Sequence, residues 1–144
     1  MAITPACAFV APWAAVIIGF IAGGLCSSAV GLKYKFNFDD SLDVVGVHLV
    51  GGIWGCLSIG FFATKTVNEL GGDGLFYGGG LHLLGVQAFG AAFVMVYSFI
   101  VTSIIGLALH KTIGFRVNQE DEIAGVDVTE HLETAYETSR GVKL

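Results

Sequence analysis

The sequence predicts an all-α membrane protein, and three observations carry that prediction. Of 144 residues, 54% are hydrophobic and only 13% charged, about half the roughly 25% charged share of an ordinary soluble domain. The apolar residues gather into three long stretches almost free of charge, each able to supply the about 20 residues a bilayer-spanning helix needs. The middle stretch nevertheless holds a carboxylate, Asp43, near its start and an imidazole, His48, inside it. Desolvating such groups is costly, so an ionisable residue kept in an apolar span marks a functional site by default. That function would be moving something small and polar through a membrane.

The first stretch, residues 1–32, contains no charged residue. Pro12 can open a helix, because the first turn leaves its N–H groups unbonded anyway, and the span is expected over about 12–30. Residues 3–10 read as a short re-entrant or interhelical segment. The second span is expected over about 41–63, with Asp39 and Asp40 at its start, where carboxylates suit the cap and the positive end of the helix dipole. The third stretch, residues 74–109, has no formal charge and one histidine, His82. It reads as a Gly-rich loop over 71–80 followed by a long tilted helix over about 81–110. Residues 1–110 thus form the transmembrane portion, and 111–144 form a polar, acidic tail with no run able to span.

Basic residues orient the spans. Lys33 and Lys35 follow the first, and Lys111 and Arg116 follow the third, whereas the second connection has Lys65 opposed by Glu69 and Asp73. The positive-inside rule places the first connection and the C-terminal tail in the cytoplasm, in a multi-pass protein of the plasma membrane. Trp13 and Tyr77 read as interfacial anchors, Trp54 as a packing residue. Gly19 with Gly23 and Gly51 with Gly55 form GxxxG pairs, and Ser98, Thr102 and Gly106 keep the same spacing on the third span. Such faces let helices approach closely in lipid. Three helices leave much of that surface unpartnered, which predicts a larger bundle, an oligomer, or both.

Other chemistries find little support. Cys7, Cys26 and Cys56 are widely spaced in apolar segments and read as small packing residues. No nucleophile has a paired base and no metal-ligand cluster occurs, so no enzyme, metal or cofactor is expected. The net charge of −5 comes largely from the tail, and no nucleic-acid partner is expected. The glycines at 78–80 lack the strand and helix that frame a phosphate-binding loop. The opening MAITPACAFVAPW lacks the charged start of a signal peptide and reads as the middle of a longer membrane protein, so the chain is expected to be a fragment.

The segment DDSLDVVGVHLVGG, residues 39–52, resembles the signature of the ammonium transporter family (Amt/MEP). ITPACAFV at 3–10 is similar to the family segment before its ninth span, and GFRVNQEDEIAGVDVTEHLETAY at 114–136 is similar to its cytoplasmic tail. The resemblance implies an eleven-span bundle whose first ten spans form two inverted repeats, in a trimer with one pore per subunit. This chain would supply spans nine, ten and eleven. His48 would be the second of two pore histidines, the first lying on the other repeat, outside this sequence. Val44 would be a pore-lining aliphatic residue one turn below it. Asp43 and Asp40 would be signature acids near the cytoplasmic end. The family pattern usually has glycine after the histidine, where this chain has Leu49, whose side chain needs room on a neighbouring helix. Thr129 falls where some members are regulated by phosphorylation, and a PII-type signal protein could dock on the same face.

Each residue also has a plainer reading. His48 could be an interhelical hydrogen-bonded histidine, and Asp43 is better suited to tying helix ends than to transport. By helical spacing, Gly51, Gly52 and Gly55 share the His48 face, giving it a smooth surface. Two functions stay open: an ammonium-conducting transporter of which this is the C-terminal part, or a non-conducting truncated membrane subunit with a regulatory or assembly role.

Overall fold

The computed structural model describes residues 1–114 and 116–133. Phe115 and residues 134–144, the last of which close the tail, lie outside the described residues. The chain divides into two compact units, Met1–Ser98 and Phe99–Leu144.

The first unit begins with successive turns over residues 1–10, closed by three-residue bonds such as Thr4 N to Met1 O (3.2 Å) and Phe9 N to Ala6 O (3.0 Å). This run forms no long helix. It packs among the helices, with Ala2, Ala6 and Val10 inside a cluster completed by Ala14, Ile18, Ile59 and Phe62. Val10 forms an antiparallel bridge with Ala63, and the Thr64 amide donates to the Phe9 carbonyl at 3.0 Å.

Helix α1 spans Pro12–Val30, with proline at its first position as the φ restriction of that residue favours. It does not end in an open connection. Gly31 keeps a right-handed conformation (φ −65°), and the chain continues into α2, Leu32–Phe36. The stop comes at Asn37, in the left-handed region at φ 52°, which asparagine tolerates better than most residues. Lys33 and Lys35, expected in a connection, therefore sit on a helical turn, and the first apolar span runs over Pro12–Phe36.

The second span starts later than residue 41, because Asp43 is left-handed (φ 55°) and helical geometry cannot pass through it. Val44–Leu49 form a π-helical turn, which leads into α3, Val50–Phe62. The indole of Trp54 packs beside Phe61, with ring centroids 6.5 Å apart, and Trp13 meets Phe62 edge-on at 6.1 Å. The connection after α3 folds back on its end. The Gly74 amide donates to the Ala63 carbonyl (2.8 Å), and the Asp73 carboxylate accepts from the Lys65 amide (2.8 Å). A short 3₁₀ turn at Leu75–Tyr77 precedes α4, His82–Thr112. His82 opens that helix and His110 lies in its last turn, both exposed.

Three helical segments, Pro12–Phe36, Val44–Phe62 and His82–Thr112, are long and apolar enough to cross a membrane. No strand occurs among the described residues. The protein is an all-α membrane protein. Its α4 surface carries no buried residue, which matches the expectation of small-residue faces left open by three helices.

In the second unit, α4 ends and the tail forms α5, Gln119–Ala124, and α6, Val126–Glu130. They meet at Gly125, whose φ of 106° suits a residue without Cβ.

Candidate functional site

The second span is built from its start. The Asp40 carboxylate accepts from two successive amides, Val44 N at 2.7 Å and Val45 N at 2.9 Å. These are amides that the first turn of a helix cannot satisfy internally, so Asp40 caps the turn from three residues beyond the usual cap position. Asp43 sits between them in the left-handed region, a conformation costing an ordinary residue about 1–2 kcal/mol. Its carboxylate pairs with the Lys33 ammonium at 2.6 Å, and the same ammonium donates to the Asp40 carbonyl at 3.1 Å. One lysine at the end of the first span thus holds both acids at the start of the second.

The π turn follows directly. Its five-residue hydrogen bonds leave it wider than an α turn, and such turns occur often at functional sites. Its packing is close: a Cβ added at Gly46 would come within 2.9 Å of the Val30 main chain. The Cys26 thiol lies 3.8 Å from the Val47 carbonyl and donates to it.

His48 is the fifth residue of that turn. Helical spacing puts Gly51, Gly52 and Gly55 together beside it, but the structure divides them. Gly51 and Gly55 are buried, packed on Cys26, Ala2 and Pro5. Gly52 and Cys56, four and eight places on, face an open groove of about 400 Å³ together with His48. Across the groove stand Gln87, Gly90 and Val94 of α4. Leu49 lines it as well and is exposed. Val44 is 51% exposed and is not among the groove-lining residues.

The structure therefore brings Asp40, Asp43 and Val44 together at the mouth of the turn, with His48 one wide turn further along. Thr129 belongs to the second unit. Its hydroxyl donates to the Gly125 carbonyl at 3.2 Å within α6. In the same unit the Arg116 guanidinium makes a two-pronged contact with Glu122 (2.7 and 3.2 Å), and holds that carboxyl below its ordinary pKa. Among the described residues no three His, Cys, Asp or Glu side chains cluster as metal ligands. Lys33 is the site residue that charge counting alone passes over. A signal for it exists: a basic residue ending one helix, ten places before an acid that starts the next, across a short connection.

A sequence model described as the Ammonium Transporter Family matches residues 1–136. The chain belongs to this family. The ammonium transporter of Mycobacterium tuberculosis (strain ATCC 25618 / H37Rv) is 50% identical over 142 residues, covering 95% of this chain and 30% of that protein. The ammonium transporter of Bacillus subtilis (strain 168) is 45% identical over 140 residues, covering 96% and 34%. The ammonium transporter Amt1 of Archaeoglobus fulgidus is 38% identical over 135 residues, covering 94% and 34%. The chain spans about a third of the length of these relatives. The resemblance noted over residues 3–10, 39–52 and 114–136 thus extends along nearly the whole sequence of this Ammonium Transporter Family member.

Proposed function

We propose that this chain is the C-terminal part of an ammonium transporter and that its second span lines the conducting pathway. His48, presented on an aliphatic and small-residue groove within the family signature, is the observation that carries this reading. An ammonium ion loses several kcal/mol or more of hydration on entering an apolar passage, whereas neutral ammonia loses far less. An apolar wall with a neutral imidazole therefore favours ammonia over alkali cations. The imidazole offers one donor and one acceptor, so it can face a small base or pass a proton. In this account ammonium is recruited outside and its nitrogen passes His48 as neutral ammonia.

Val44 lies outside the groove, at the start of the same turn, and Asp43 and Asp40 order the turn that presents His48. The protein works as a homotrimer in the plasma membrane, with residues 111–144 in the cytoplasm. The names of the relatives support ammonium as cargo, and the lysines at the ends of the first and third spans support the orientation. Phosphate at Thr129 would add negative charge to an acidic tail and break its bond to Gly125, reseating α6. A PII-type signal protein is the partner suited to that cytoplasmic face.

The test is ammonium-limited growth of a yeast that lacks its own ammonium transporters. It compares this chain with a graft in which the chain replaces the matching third of the Mycobacterium tuberculosis relative. Growth with the graft supports the reading. A graft that reaches the membrane and gives no growth would favour a non-conducting assembly role.

A further inference from the structure

We infer that Lys33 is a positioning residue for His48: by clamping Asp43 and Asp40 it sets where the π turn begins and so the direction in which the imidazole points. The inference rests on the reading that His48 lines the pathway. The Lys33 ammonium bonds the Asp43 carboxylate at 2.6 Å and the Asp40 carbonyl at 3.1 Å. The lysine side chain is 15% exposed and that of the aspartate 34%, so the pair is partly shielded from screening. The Asp40 carboxylate is already committed to the Val44 and Val45 amides. The Asp43 carbonyl accepts from the Val47 amide at 2.8 Å. Both acids are thus tied to the turn, and one cation holds them in register.

Asp43 is the hinge of this arrangement. Its left-handed backbone (φ 55°, ψ 35°) separates the connection from the helix, and its ion pair with Lys33 offsets the cost of that conformation. Without the lysine, Asp43 can fall back to a right-handed conformation. The turn then relaxes toward α geometry and His48 rotates about the axis by up to about 100°, the angle of one residue. It would move toward the side where Gly51 and Gly55 pack, away from the groove. Lys33 touches neither the groove nor the cargo, so it acts through His48.

The experiment uses the same graft in lipid bilayers, with ¹⁵N-labelled histidine, and compares Lys33→Ala and Lys33→Arg at matched protein levels. The His48 resonance is assigned by its disappearance in His48→Gln. Lys33→Ala is expected to move that resonance, to displace the pH profile of uptake, and to cut uptake at saturating ammonium by about ten- to a hundredfold, the scale on which a misplaced group is felt. Lys33→Arg, which keeps charge and donors, is expected to restore all three. If Lys33→Ala fails to accumulate, Lys33→Gln keeps a donor without the charge and is read in the same way. An unmoved His48 resonance overturns the inference, as does a moved one that arginine does not restore. A parent graft that does not transport overturns the pore reading instead, while the resonance still decides the role of Lys33.

Discussion

The indole N–H of Trp54 donates to the main-chain carbonyl of Ile18 at 3.0 Å, joining the middle of α3 to a residue of α1 whose side chain is fully buried. This bond, with the alanine and isoleucine cluster beneath it, fixes how the two helices pack. Trp54→Phe keeps the ring and removes the donor, so it should destabilise the chain in detergent by about 1 kcal/mol. Trp54→Ala also removes the ring and should cost about 3–5 kcal/mol. Thermal unfolding followed by circular dichroism measures both, and an unchanged stability in Trp54→Phe would deny the hydrogen bond a role.

Glycines in this chain divide by what faces them. A Cβ at Gly60 would lie 2.5 Å from the Leu84 Cα, whereas one at Gly19 meets no atom within 4 Å among the described residues. Gly60→Ala should therefore force α3 and α4 apart at about 1–3 kcal/mol. Gly19→Ala should be neutral or stabilising by up to about 1 kcal/mol, the helix-propensity gain. Unfolding of the isolated chain in detergent checks this, and a loss at Gly19 as large as at Gly60 would contradict it.

Asp40 caps the π turn through both carboxylate oxygens. Asp40→Ala should cost about 0.5–2 kcal/mol, and hydrogen exchange at the Val44 and Val45 amides should accelerate. Asp40→Asn retains one acceptor and should lie between the two. Unchanged exchange in Asp40→Ala would show that those amides find other partners.

The Arg116–Glu122 pair gives the tail a pH dependence of known sign. The hydrogen bond from Arg116, reinforced by its charge, lowers the Glu122 pKa from the ordinary 4.5. A carboxyl lowered in the folded state contributes its stabilisation in full above that ordinary value. The contribution is lost as the pH falls through the lowered folded pKa. A ¹³C titration of the Glu122 carboxyl should find it below the usual glutamate range, and Arg116→Gln should return it. A Glu122 that titrates identically in both proteins would rule the pair out in solution.

Much of the fold is legible in the sequence, because in a membrane protein apolar length and charge placement are coarse, strong signals. Pro12 opens α1 where its fixed φ requires, and the long third helix follows the Gly-rich loop. What stays hidden is local backbone choice. Nothing in SLDVVGVHL specifies that Asp43 turns left-handed or that the next six residues wind as a π turn, because valines and glycine fit either winding. Nor does spacing show that Gly51 and Gly55 pack away from the groove, whereas Gly52 stays beside His48 and Cys56 joins it. The helical turn carrying Lys33 and Lys35 is hidden for a similar reason, since Gly31 can end a helix or pass through it. The groove residues Gln87 and Val94 come from a distant part of the chain, and spacing within the second span cannot nominate them.

The most direct measurement of the central claim is methylammonium and ammonium uptake by the graft carrying His48→Ala, at membrane levels matched to its parent. If His48 lines the ammonia pathway, uptake falls at least tenfold or changes its selectivity against potassium, on the scale of a removed site residue. Uptake with the same rate, the same pH profile and the same selectivity would mean that the groove beside His48 is a packing surface and that the pathway lies elsewhere.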